Sequence, residues 1–377
     1  MPSRRGYLLN GLLVTASLGL ALGAVEVALR LFDVAPTVVP PRAVEIRQGD
    51  VWVPVGAWGT TPLKQPSPFP EVAMGEYRPG IVFRFAYYAS YDRLFRPEAL
   101  VHEAIAHVNG DGLRGPEVPA RKAPDETRLL FLGDSFTFGE GVADDEPFPV
   151  LVAAALGRRD PAARYRAVNA GVSGYNTRDE VVYLERRWLD YDPDLVVLTF
   201  YLNDAYDDAR FGPLIMGRAQ GQLLEDVQSP SRLVRWALVG IRSRLASRRT
   251  RRIYASQFTD APAVGGHDWQ DSQAALRRAA TLLADRGVPL VLVVFPELYE
   301  LGEAHPFTGI YETVEAFGRS LSVPVLNLYP TFRGRAAESL WVHPTDHHPN
   351  PAAHRLAAEA ITAFLDAHAG ALLPDRR

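Results

Sequence analysis

The chain has no cysteine. That excludes a disulfide, a thiolate nucleophile, a cysteine-ligated zinc site and a lipid-modified N-terminal cysteine. It does not exclude export, because many exported bacterial proteins carry no disulfide. A strong charge imbalance is missing too: 40 Lys and Arg face 44 Asp and Glu, a net charge of −4, so nothing global points to nucleic acid. With 47% hydrophobic and 22% charged residues, the composition excludes a disordered chain and fits a folded enzyme. A length of 377 residues holds one large domain, or one domain with an appendage.

Charge is also absent from Gly6 to Val25, a run of 20 residues behind Arg4 and Arg5. As a helix, that run spans roughly 30 Å, the thickness of a bilayer core. The two arginines predict a single-pass anchor with its N-terminus in the cytoplasm and the rest of the chain outside, periplasmic or extracellular. A signal peptide cleaved near Ala21-Leu22-Gly23-Ala24 is the competing reading. The run exceeds a usual signal h-region, and its helical pattern continues through Glu26 and Arg30 to Phe32, which favours the anchor.

Three regions follow from the pattern: an anchor or signal at 1–35, a β-rich appendage and linker at 36–127, and an α/β domain at 128–370 with an insertion at 205–266. Pro36, Pro40 and Pro41 suit a stiff spacer. Short strands are expected at 51–55 and within 81–91, with turns at Asn109-Gly110 and Asp111-Gly112. From Arg128 onward, apolar strand candidates at 128–133, 164–171, 194–202, 288–296 and 323–329 alternate with helical stretches. The last of these runs from Pro351 to His368. That alternation predicts a parallel sheet covered on both faces, with reactive groups at the carboxyl ends of its strands.

Within the insertion, 232–252 carries eight arginines and no acidic residue, and Leu233, Trp236, Ala237, Ile241 and Leu245 share a helical face. Such a segment either lies on a membrane surface or packs Leu and Trp on the domain with its arginines solvated or paired.

Ser135, in FLGDSFTFGEGV (131–142), ends the first strand of this domain. A serine hydroxyl needs a base to remove its proton. The chain supplies a candidate in HPTDHHPNPAAH (343–354), where Asp346 precedes His348 by two residues and can hold its tautomer. Oxyanion donors are available at two further strand ends, the Gly174 N–H and the Asn203 amide. Each has a plainer role open to it: Ser135 and Asn203 as helix caps, Gly174 as a turn.

Four blocks, GDS at 133–135, the Gly174 segment, Asn203-Asp204 and Asp346-x-His348-Pro-Asn, resemble in order those of the SGNH (GDSL-type) esterases and acylhydrolases. The resemblance covers about 128–368. It implies a three-layer α/β/α flavodoxin-like fold, a Ser135 nucleophile, a His348 base oriented by Asp346, and an oxyanion hole of the Ser135 N–H, Gly174 N–H and Asn203 amide. It implies no metal and no organic cofactor. The substrate would be a small acyl ester or an acylated glycan or lipid at the cell envelope. Hydrolysis is the leading expectation. The alternatives are an O-acyltransferase acting on cell-surface polysaccharide and a catalytically inactive binding protein.

Two features depart from the family pattern. The usual Asp-x-x-His spacing would place the acid at Thr345, whereas Asp346-x-His348 resembles SGNH-like enzymes that move acetyl groups on exopolysaccharides. Tyr201 stands where the family has glycine, which predicts a reshaped acyl pocket. His347 is a rival base, and His354 is expected to pack or cap within the last helix.

Overall fold

The computed structural model describes residues 4–32, 42–56, 60–89, 95–205, 229–238, 267–343 and 346–373. The spacer prolines, Thr345, most of the insertion and the Ile241 and Leu245 positions lie outside them. The described residues form two units, one of 4–32 with 229–238 and one of the remainder.

In the first unit, α1 (Arg4–Leu31) contains a 22-residue stretch, Asn10–Leu31, of mean hydropathy 2.0, long and apolar enough to cross a membrane. The two charges in that stretch, Glu26 and Arg30, pair at 2.7 Å. Glu26 also accepts from Ser231 Oγ (2.9 Å) and from the N–H groups of Arg232 (3.1 Å) and Leu233 (2.8 Å). These N–H groups open a helix over 232–238, where no preceding turn supplies acceptors, so the carboxylate satisfies them. Ser231 Oγ accepts from Val234 N–H at 3.2 Å and caps the same helix. Trp236 is 57% exposed within this unit.

The second unit is built on five parallel strands: β5 (Glu126–Leu132), β6 (Arg164–Asn169), β7 (Leu195–Phe200), β8 (Leu290–Val294) and β9 (Val325–Asn327). Their order is β9-β8-β7-β5-β6, so the chain reverses direction across the sheet beside β5. Every residue of β5, β7 and β8 is buried, as continuous apolar runs predict for a sheet covered on both faces. The helices α3 (Phe148–Arg159) and α7 (Pro351–Ala367) pack together, and α4 (Thr177–Arg186) pairs with α5 (His267–Ala284). The helix α6 (Thr308–Ser320) lies against β8 and β9. The result is the expected α/β domain.

Ahead of this sheet, β1 (Ala43–Gln48), β2 (Val51–Gly56), β3 (Val82–Tyr88) and β4 (Leu100–His107) form an antiparallel sheet in the order β2-β1-β3-β4. It shares its apolar contacts with the α/β domain. Phe138, just past β5, stacks on Tyr77 with centroids 4.6 Å apart and on Phe83 at 6.1 Å. Arg114 makes bridges to both Val108 and Asn169, the end of β6.

Candidate active site

The turn after β5 presents Ser135. Gly133 makes it possible, because a Cβ there would lie 2.1 Å from Thr137 Oγ1 and 3.3 Å from Thr199 Cβ. Asp134 then caps the short helix α2 (Ser135–Phe138), accepting from Phe136 N–H at 2.9 Å. The cap therefore belongs to Asp134 and leaves the Ser135 hydroxyl available. Ser135 Oγ lies 2.9 Å from His348 Nε2.

His348 and Asp346 sit on one edge of a hairpin formed by β10 (Trp341–His343) and β11 (Asp346–Pro349). Alternate residues of a strand face opposite ways, so 346 and 348 share a face and 347 does not. Asp346 Oδ1 is hydrogen-bonded to His348 Nδ1 and also accepts the His348 backbone N–H at 3.2 Å. His347 instead stacks on Trp341, centroids 4.0 Å apart, and is exposed. His354 is fully buried in α7, and its Nδ1 accepts the Phe148 N–H at 3.2 Å. It therefore caps the start of α3 rather than its own helix, and burial pushes its imidazole down to about 3.

The two candidate oxyanion donors lie at the ends of β6 and β7. Gly174, with φ of 78°, turns the chain between β6 and α4 in a conformation that favours glycine. Neither its N–H nor that of Ser135 donates to an acceptor among the described residues. The Asn203 amide donates to Asp134 Oδ2 at 3.0 Å and reaches Tyr175 O at 3.4 Å, which puts it beside both the Ser135 turn and the Gly174 turn. Beneath it, Asp204 accepts from Tyr201 N–H (2.5 Å) and Thr177 Oγ1 (2.9 Å), fixing the turn after β7. Burial pushes the Asp134 carboxyl up to about 6 and that of Asp204 well above the usual range.

Sequence reasoning missed four groups around His348. Tyr87, on β3, donates to Asp346 Oδ2 at 2.8 Å. Arg42, just ahead of β1, donates to the same oxygen at 3.2 Å and is also ion-paired with Glu140. Glu140 Oε2 lies 3.5 Å from His348 Nε2, and Ser173 Oγ donates to its other oxygen. Glu140 stands inside the FLGDSFTFGEGV block as a charge in an otherwise apolar and small-residue turn, which was a readable signal. Arg42 and Tyr87 carry none, since they lie 304 and 259 residues from Asp346.

Burial acts to lower the His348 imidazole, but the Asp346 and Glu140 carboxylates outweigh it and hold it above its usual value. For Asp346, burial acts to raise the carboxyl, and the His348 and Arg42 charges hold it well below the usual carboxylate range. Tyr201, which replaces the family glycine, stacks on Phe136 with centroids 4.0 Å apart and donates to Glu297. Among the described residues, no group of three or more His, Cys, Asp or Glu side chains has an arrangement that could hold a metal ion.

Among solved structures, the chain is similar to a two-domain esterase active on acetylated mannans, with 19% identity and a TM-score of 0.37, over 66% of this chain and 51% of the other. It thus spans about half the length of that esterase. It is also similar to a variant of an acetyl xylan esterase from Geobacillus stearothermophilus (16% identity, TM-score 0.40, 66% and 97% covered). A third likeness is to the acetyl xylan esterase AlAXEase (16% identity, TM-score 0.39, 63% and 98% covered). No curated protein matches the sequence. The profile of the GDSL-like Lipase/Acylhydrolase family matches residues 131–356, which takes in the Ser135 turn, both donor turns and the Asp346–His348 hairpin. By that match over more than half of its length, the chain belongs to the GDSL-like lipase/acylhydrolase family.

Proposed function

We propose that the protein is a serine acyl-ester hydrolase in which Ser135 is the nucleophile, His348 the base and Asp346 the group that orients it. One observation carries this reading: the unbroken hydrogen-bonded chain from Ser135 Oγ through His348 Nε2 and Nδ1 to Asp346. Ser135 Oγ attacks the ester carbonyl carbon as its proton passes to His348 Nε2. The oxyanion is held by the Ser135 and Gly174 N–H groups and the Asn203 amide. The imidazolium then protonates the departing alkoxide, leaving an acyl-Ser135. Water attacks that ester, gives its proton to His348, and the acid leaves as Ser135 recovers the proton. The Tyr201 ring beside Phe136 narrows the space next to the nucleophile and favours a short acyl group.

The runner-up passes the acyl group from Ser135 to a sugar hydroxyl instead of water. The Asp346-x-His348 spacing favours it. Product analysis with an activated acetyl ester, with and without oligosaccharide, separates the two: transfer exceeding hydrolysis selects the transferase. We place the domain outside the cytoplasm on an uncleaved α1, on the strength of Arg4, Arg5 and the Asn10–Leu31 stretch.

The deciding experiment is labelling of the full chain with a serine-reactive fluorophosphonate. Wild type is expected to label, with Ser135→Ala unlabelled and His348→Ala labelling at least about a thousandfold more slowly. A wild type that neither labels nor cleaves a short acyl ester ends the hydrolase reading.

A further inference from the structure

The carboxylate that orients His348 is itself held from outside the family-matched segment. Asp346 Oδ2 receives two donors, Tyr87 Oη and Arg42, both from the antiparallel sheet region. Arg42 is 11% exposed and ion-paired with both Asp346 and Glu140, while its guanidinium lies over the Phe85 ring, 5.0 Å from the centroid. Glu140 is 1% exposed and fixed from its other side by Ser173, whose hydroxyl accepts from Tyr77 Oη at 2.6 Å. The imidazole is therefore flanked by two carboxylates, Asp346 at Nδ1 and Glu140 near Nε2, with one arginine bridging them.

We propose that Arg42 and Glu140 are a positioning pair for the active site: Arg42 fixes Asp346 from the N-terminal sheet, and Glu140 offsets the charge Arg42 brings beside the imidazole. The proposal rests on the reading of Ser135 and His348 as nucleophile and base. A charge count shows why both members are needed. Asp346, Glu140 and Arg42 together carry one negative charge, and the imidazolium formed during acyl transfer neutralises it. Without Arg42, two buried carboxylates face the imidazole and favour its protonated form. Without Glu140, a buried cation stands close to it and opposes protonation.

The other charged or titratable groups facing His348 are Asp134 at the cap of α2, His354 on α7, and Tyr87 through Asp346. None of them bridges the two carboxylates. Removing either member of the pair should therefore move the base in opposite directions, and removing both should largely cancel.

The test is the pH dependence of kcat/KM for an activated acetyl ester, per fluorophosphonate-reactive site, which counts only folded enzyme. Activity needs neutral His348, so the acid limb of the profile reports its protonation in the free enzyme. Arg42→Met should move that limb to higher pH by about one unit and lower the plateau about tenfold, with Arg42→Lys recovering most of both. Glu140→Gln should move the limb to lower pH by at least about half a unit. The double variant should return it to within about 0.3 unit of wild type. Single variants that both move the limb the same way, or leave it within about 0.2 unit, overturn the pairing. If His348→Ala keeps wild-type activity, the reading beneath it fails instead, so the two failures are distinguishable.

Discussion

The parallel sheet and the four-stranded antiparallel sheet of the second unit bear on the same candidate site by different routes. The parallel sheet delivers its groups directly, because the turns after its strands carry the Ser135 hydroxyl, the Gly174 N–H and the Asn203 amide. The antiparallel sheet delivers none that meets a substrate carbonyl; Tyr87 and Arg42 act through Asp346. In the proposed mechanism the Ser135 nucleophile and the oxyanion donors thus come from turns after parallel strands, as an α/β sheet favours, while the donors on Asp346 come from a neighbouring sheet region that obeys no such rule. Each sheet also buries an arginine, to different ends. Arg128 on β5 is fully buried and spends its donors on Glu126 (2.9 Å), Tyr191 O (2.7 Å) and Pro119 O (2.6 Å), far in contact terms from the imidazole. Arg42 faces the active-site carboxylates.

That contrast can be broken at three points. The largest effect is expected for Arg128→Met, which leaves two carbonyls without their donor and Glu126 with Arg166 as its remaining arginine, and should lower stability by ~2–4 kcal/mol in denaturant unfolding. Its activity per labelled site should stay near wild type; a large loss there would mean the parallel sheet's arginine also tunes the site. Next comes Asn203→Ala, which removes one oxyanion donor and should cut kcat by about 10²–10³-fold with little change in KM. A change of less than about threefold would assign Asn203 to structure alone, as a partner of Asp134. The smallest effect belongs to Tyr87→Phe. Losing one of the two donors on Asp346 Oδ2 should lower kcat about tenfold. Unchanged kcat would leave Arg42 as the antiparallel sheet's sole link to the site.

Much of the α/β domain was legible because its signals are local. Each strand candidate from Arg128 onward became a strand, with ends moved by at most two residues, since a continuous apolar run bounded by turns reports burial without knowledge of its partners. The helix α4 stops at Arg186 because Arg187 leaves helical geometry, with φ of −146° and ψ of −52°. Ser135, Gly174 and Asn203 stand at element ends that the pattern marks, whereas the alternation that separates His348 from His347 belongs to β11, a strand the sequence reading did not place. Arg42 and Tyr87 were not legible. Their sequence surroundings say spacer and strand, and nothing local reports an ion pair closed across some 300 residues. The 232–238 helix was legible as an amphipathic basic segment, but not as one capped by Glu26, for the same reason.

The span between Arg42 and Asp346 also sets a clock. At about 5–20 residues per second, Asp346 leaves the ribosome roughly 15–60 s after Arg42. No nascent chain that stops short of Asp346 contains both halves of the ion pair. The Arg42 guanidinium, which lies over the Phe85 ring in the folded protein, must wait for a carboxylate made 304 residues later.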